Sequence, residues 1–175
     1  MQRILEEGCY EFAHRNMPKL LVENNWTCPE LVELSKWKEV LPIVVPPGST
    51  TQDTSYTLER GLLDAVRIRN AATHRHLCNN TEIKKMAGQA QSLMSMFGDV
   101  SRQRRFLRLS DELSEWDHTA LDPDAKRQKL ELVLREISER PVDDMDWTPN
   151  SVSLQEVTPV KHVRLDSDEI MGGME

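Results

Sequence analysis

Apolar residues recur three and four positions apart through most of residues 1–140, and this spacing limits the fold more than any other feature of the sequence. Such spacing lines one face of an α-helix, whereas a half-buried strand alternates apolar and polar residues. Two segments show it clearly: Leu31, Leu34, Trp37 and Leu41; Phe106, Leu109, Leu113 and Trp116. Aromatic residues make up only 5% of the chain, which disfavours an all-β sandwich. The sequence therefore predicts an all-α bundle of about five or six helices over residues 1–140.

Prolines and capping residues predict the boundaries of the first helices. Pro18 interrupts the first helical segment, so we expect a kink or a new start there. Thr27-Cys28-Pro29-Glu30 has the pattern of a capping box, which would open a helix that ends near Leu41. The prolines and polar residues of 42–56 predict a linker or an ordered loop.

Similar signals divide the second half of the bundle. Residues 57–78 are predicted to form one helix, which Asn79-Asn80 interrupts. A further helix is predicted over residues 81–97, and Gly98 is placed to end it in a left-handed cap. Asp122-Pro123 supplies the N-cap and the first-turn proline of the last helix.

Residues 141–175 lack this apolar pattern. They carry eight acidic residues against two basic ones, a formal charge of −6. Few of them could fill a core, so they are predicted to form a flexible, disordered acidic tail. The expected organisation is a helical bundle over 1–140, with its loop at 42–56, followed by this tail.

The composition also predicts the compartment and the absence of several kinds of site. No apolar run is long enough for a transmembrane helix, and the first residues lack the apolar stretch of a secretory signal. The three cysteines form no CxxC pair. We therefore expect a cytoplasmic or nuclear protein with reduced thiols, no membrane association and no cofactor. His74-x-His76-x-Cys78 is not expected to bind a metal ion, because alternate residues of a helix point apart.

The net charge conceals a basic segment. The chain carries −7 at pH 7, which argues against a nucleic-acid partner because phosphate attracts positive charge. Residues 57–108, however, hold ten basic residues and four acidic ones, a charge of +6 that leaves −13 elsewhere. Solvated helix faces and an anion-binding surface would both produce this distribution, and both interpretations stay open.

The densest polar cluster runs from Arg67 to His76, late in the predicted third helix. Arg69 projects near the centre of an apolar stripe on this helix. The stripe consists of Leu58, Leu62, Ala65, Val66 and Ala72. A guanidinium in that position is costly unless it meets a carboxylate, a phosphate or a partner subunit. Asn70 and His74 are four positions apart and are therefore neighbours on an adjoining face.

This cluster resembles the motif of the HEPN superfamily, the higher eukaryotes and prokaryotes nucleotide-binding domains. The family's signature is an arginine, four to six intervening residues and a histidine, often with a polar residue directly after the arginine. Arg69 and His74 have four residues between them, and Asn70 occupies the polar position. The wider run LLDAVRIRNAATHRHL is similar to HEPN proteins of eukaryotic RNA processing, and the resemblance covers residues 57–98.

The resemblance implies a metal-independent endoribonuclease that acts as a homodimer, with the motif helices of two subunits facing each other across a cleft. His74 would be the general base or acid, since its imidazole titrates near neutrality. Arg69 would bind the phosphate, and Asn70 would orient the histidine or the phosphate. RNA-binding residues are expected around them: Arg67, Arg75, His76, Lys84, Lys85, Arg102, Arg104 and Arg105.

Two other interpretations remain open at this point. In the first, the chain is a non-catalytic dimerisation or adaptor module that binds a protein partner or RNA, and Arg69 and Asn70 only hydrogen-bond within the bundle. In the second, the acidic tail folds back on the basic segment and inhibits it.

Overall fold

Seven α-helices account for most of the residues that the computed structural model describes, which are 1–51, 56–118 and 122–138. They are α1 (Gln2–Asn16), α2 (Pro18–Glu23), α3 (Leu34–Val44), α4 (Leu58–Thr73), α5 (Asn80–Met96), α6 (Val100–His118) and α7 (Pro123–Ser138). A 3₁₀ turn (Pro29–Leu31) precedes α3, and no β-strand occurs among the described residues. The prediction of an all-α bundle is confirmed. The first predicted segment forms two helices because Pro18 starts a new one.

Some of the predicted features lie outside the described residues. These are the acidic tail of 141–175 and residues 52–55 of the predicted loop. The helices α1 to α7 belong to one compact unit, Met1–Glu139. No helix in the described part of the chain is long and apolar enough to cross a membrane.

The core is built from the apolar faces of these helices. Trp37, Phe12 and Phe106 are its largest fully buried side chains. Phe12 stacks on Phe97 with 4.3 Å between ring centroids, which joins α1 to the end of α5. Aromatic side chains of this size each remove about 150–250 Å² from water, so they contribute heavily to the stability of a small domain.

The start of α3 differs from the prediction. Residues 29–31 form only one 3₁₀ turn, and the chain is extended at Val32 and Glu33 before α3 begins at Leu34. The predicted helix start at Thr27 is therefore wrong. The extended segment buries Val32 in the core, while Leu31, predicted to face it, is exposed. Tertiary packing of Val32 overrides the local capping signal.

Two glycines bring neighbouring helices close to α5. A Cβ atom at Gly8 of α1 would lie 2.4 Å from the Sδ atom of Met94, and one at Gly61 of α4 would lie 2.9 Å from Cδ1 of Leu93. These contacts leave no room for a larger side chain without a shift of the buried neighbour. The close approach at Gly61 fixes α4 against α5 and so positions the polar cluster at the end of α4.

Candidate active site at the end of α4

The helix α4 ends at Thr73, five residues earlier than predicted. The amide of His76 donates to the carbonyl of Ala71 (3.0 Å), and the amide of Arg75 donates to that of Ala72 (3.3 Å). These two bonds form a Schellman motif, with Arg75 in the left-handed position at φ 50°. The predicted helix to residue 78 is therefore wrong. The helical geometry that the sequence predicted for His74, His76 and Cys78 does not exist, because all three follow the last helical residue.

Arginine is an unusual residue for this kind of helix end. The helices α2 and α5 end with the same geometry, but their left-handed residues are Asn25 and Gly98. The predicted cap at Gly98 is confirmed. An arginine Cβ is crowded by backbone in the left-handed region, whereas glycine has no Cβ and asparagine tolerates this conformation. Arg75 therefore carries local strain next to the candidate site, and such strain is characteristic of functional positions.

Replacing Arg75 with glycine is expected to raise the free energy of unfolding by about 1 kcal/mol, because the Cβ that opposes a positive φ is removed. Urea denaturation measures the change. Arg75→Ala is the matched control, since it removes the same charge but keeps the Cβ, and it should bring no such gain. Equal stabilisation by both variants would show that charge, not backbone strain, is responsible.

Arg69 is held by two acceptors. Its Nη2 donates to Glu33 Oε2 at 2.9 Å, and its Nη1 lies 3.3 Å from Asn70 Oδ1. The Arg69 side chain is 26% exposed and that of Glu33 is 61% exposed. The guanidinium near the predicted apolar stripe thus meets a carboxylate, one of the three partners that the sequence required. The apolar stripe is shorter than predicted, because Ala72, its last predicted member, is exposed.

His74 and His76 form a pair of stacked imidazoles on the surface. Their ring centroids are 5.9 Å apart with an interplanar angle of 27°. Both residues are exposed, and no carboxylate of the described residues pairs with either ring. The amide of His74 donates to the carbonyl of Asn70 (2.9 Å), so the last helical turn connects the histidine to Asn70 and Arg69. Imidazole is a side chain that can both donate and accept protons, and both rings are accessible to a ligand.

Several of the residues predicted to bind RNA take part in ion pairs within the bundle. Arg67 pairs with the buried Asp64 (3.3 Å), and Lys84 with Asp117 (3.5 Å). Arg102 lies 2.7 Å from Asp99 and its side chain is only 15% exposed. These three side chains stabilise the fold in the conformation described.

The remaining predicted RNA-binding residues differ in exposure. Arg75, Lys85 and Arg104 are exposed and have no ion-pair partner among the described residues. Arg105 is partly buried. The structure therefore leaves Arg75, Lys85 and Arg104 as the cations of this set that are most accessible to an anion.

The acidic flanks supply part of the charge that balances the basic segment. Glu33 precedes α3 and pairs with Arg69, while Glu136 of α7 pairs with Arg108. Glu7 of α1 lies 3.8 Å from Arg102. Part of the positive charge of residues 57–108 is thus paired in the fold with acidic residues from α1, from α7 and from the segment before α3.

Asp117, near the end of α6, is an acid that pairs with two residues at the start of α5. Its Oδ1 accepts a hydrogen bond from the side chain of Asn80 (3.0 Å), and Lys84 lies on its other oxygen. The pKa of Asp117 is lowered, first by the Asn80 hydrogen bond and then by the charge of Lys84. These contacts tie the end of α6 to α5, directly after the turn that carries the two imidazoles.

Asp64 is a buried acid that the sequence did not single out. It is 1% exposed and receives hydrogen bonds from Tyr56 Oη (3.2 Å), Arg60 Nε (3.2 Å) and Arg67 Nη1 (3.3 Å). The pKa of Tyr56 is raised, mainly by burial and then by the charge and hydrogen bond of Asp64. The only indication of this site in the sequence was a single acidic residue on an otherwise apolar face of the predicted helix. Its partners tie the segment before α4 to the helix.

No family model, no curated protein and no solved structure matches this chain. Among the described residues, no group of three or more His, Cys, Asp or Glu side chains is placed to hold a metal ion. The resemblance to HEPN domains therefore depends on the residues of the Arg69–His74 segment and on the helical context around them.

Proposed function

We propose that this chain is a HEPN-like domain that cleaves RNA without a metal ion, and that the end of α4 is its active site. The observation that carries the proposal is the placement of two exposed imidazoles, 5.9 Å apart, directly after a helical turn that presents Arg69 and Asn70. Arginine, a polar neighbour and acid–base groups are what cleavage by the RNA's own 2′-hydroxyl requires.

Each side chain has a role in the proposed reaction. His74 takes the proton of the 2′-hydroxyl, whose oxygen then forms a bond to the phosphorus. Arg69 donates hydrogen bonds to the phosphate oxygens as negative charge accumulates on them, and Asn70 orients the guanidinium of Arg69. The bond to the 5′-oxygen breaks as that oxygen receives a proton from protonated His76. The products are a 2′,3′-cyclic phosphate and a 5′-hydroxyl.

A second copy of the chain belongs to this proposal. The resemblance implies that the motif helices of two subunits face each other, and the exposed residues 74–77 leave one side of the site open to such a partner. The accessible Arg75 would then extend the positive surface along the RNA backbone.

The test is RNA cleavage by the purified full chain in excess EDTA. Wild-type protein is expected to cut a labelled single-stranded RNA, and Arg69→Ala is expected to cut at least 100-fold more slowly, as removal of a transition-state donor does in other enzymes. Arg135→Ala, an exposed arginine of α7, removes the same charge and serves as the control. Absence of cleavage in EDTA, or equal rates for Arg69→Ala and wild type, would contradict the proposal.

The alternative is a non-catalytic adaptor, and one observation favours it. Leu77 is fully exposed on the same turn as Arg75 and His76, which leaves an apolar side chain available for contact with a partner protein. An adaptor predicts that Arg69→Ala lowers stability or partner binding while there is no cleavage rate to lose. The EDTA experiment therefore separates the two functions.

A further inference from the structure

Glu33 occupies an N-cap position without capping its helix. It directly precedes α3 in extended conformation, and its side chain makes no hydrogen bond to the backbone of α3. Its Oε2 instead accepts from Arg69 Nη2 (2.9 Å) and from Ser35 Oγ (3.2 Å). Serine, threonine, aspartate and asparagine are the usual N-cap residues, because their short side chains reach the first amides of the helix. The longer glutamate reaches across to α4.

We infer that Glu33 regulates the site by competing with phosphate for Arg69. This inference rests on the proposed role of Arg69 in binding RNA. A guanidinium binds a phosphate through two parallel N–H donors, whereas here Nη2 of Arg69 already donates to Glu33 and Nη1 to Asn70. A phosphodiester must displace Glu33, or share the guanidinium with it, before Arg69 can stabilise a transition state.

The exposure of the pair makes such displacement feasible. Glu33 is 61% exposed, so water can solvate its carboxylate once the contact opens. Exposed ion pairs contribute little net free energy, which allows an incoming anion to replace one partner. Each side chain of the pair has a further hydrogen bond that helps to position it. Ser35 Oγ donates to Glu33 Oε2, and Arg69 Nη1 donates to Asn70 Oδ1. Glu33 thus lowers the affinity of the resting site without blocking access to it.

Two substitutions remove the competitor in different ways. Glu33→Gln keeps the size of the side chain and removes its charge. Glu33→Ser also places a preferred capping residue before α3, so loss of the contact is accompanied by a new stabilising hydrogen bond. Glu39→Gln is the matched control, because Glu39 is an exposed acid of α3 that pairs only locally with Lys36 among the described residues.

The measurement is binding of a fluorescein-labelled RNA oligonucleotide whose 2′-hydroxyls are all O-methylated, so that it cannot be cleaved. Glu33→Gln and Glu33→Ser are each expected to bind it about 2–5-fold more tightly than Glu39→Gln does. Adding Arg69→Ala to Glu33→Gln should abolish this gain. A gain that survives Arg69→Ala would be a general charge effect and would overturn the inference.

The remaining outcomes separate this inference from the proposed function. If Arg69→Ala weakens RNA binding but both Glu33 variants bind like Glu39→Gln, the competition by Glu33 is wrong and the RNA-binding role of Arg69 stands. If Arg69→Ala binds RNA as wild type does, the RNA-binding role and the competition are both wrong. Urea denaturation of Glu33→Ser provides the folding control, with a free energy of unfolding no lower than that of wild type.

Discussion

Substituting alanine for His74 is expected to lower the rate constant of RNA cleavage by about 10²–10⁴-fold, because the group proposed to take the 2′-hydroxyl proton is lost. Single-turnover cleavage of a labelled RNA in EDTA measures this constant without a contribution from product release. Binding of the O-methylated RNA should change little, because the proposed role of His74 is proton transfer and Arg69 is still present to bind the phosphate.

His14→Ala is the control for this substitution. His14 is an exposed residue of α1 outside the proposed site, and its removal changes the same residue type. The His14 variant should cut RNA at the wild-type rate. A His74→Ala protein that also cuts at the wild-type rate would remove His74 from the mechanism, and a loss confined to RNA affinity would make it a binding residue only.

The second large effect is expected from Asp64, whose replacement with alanine should lower the free energy of unfolding by about 2–4 kcal/mol. The buried carboxylate accepts hydrogen bonds from Tyr56, Arg60 and Arg67, and alanine offers none of them an acceptor. Both arginines are more than half exposed and can be solvated, which keeps the loss below that of stranding a buried charge. Chemical denaturation of the two proteins measures the difference.

Asp111→Ala is the matched substitution for Asp64→Ala. Asp111 is an exposed residue of α6, so both variants gain the same helix propensity from alanine and only one loses buried hydrogen bonds. Asp111→Ala should stay within about 0.5 kcal/mol of wild type, as surface substitutions do. Equal stabilities for the two variants would show that the Asp64 hydrogen bonds contribute little to the fold.

The local part of the fold was predictable from the sequence. Helix periodicity depends on residues three and four positions apart, and the burial of Leu34, Trp37 and Leu41 follows that pattern. Helix ends depend on one or two residues, as at Gly98. These features are encoded within a single turn of chain, so they need no knowledge of the tertiary structure.

The candidate site was predictable only in part. That Arg69 needs an anionic partner followed from its place on the helix, but Glu33 lies 36 residues away and no local pattern connects the two. The end of α4 at Thr73 was missed because arginine is rarely the left-handed residue that ends a helix. The contact between Arg102 and Glu7 likewise joins residues that lie far apart in the sequence, and no local pattern connects them.

If the Arg69–His74 site cleaves RNA through the 2′-hydroxyl of the RNA itself, a DNA oligonucleotide that contains a single ribonucleotide should be cut at that position alone. In EDTA, the wild-type chain should cut this substrate only after the ribonucleotide and leave a 2′,3′-cyclic phosphate and a 5′-hydroxyl, identifiable by mass spectrometry. Cleavage of the all-DNA oligonucleotide, a 5′-phosphate product, or no cleavage without added metal would contradict the account.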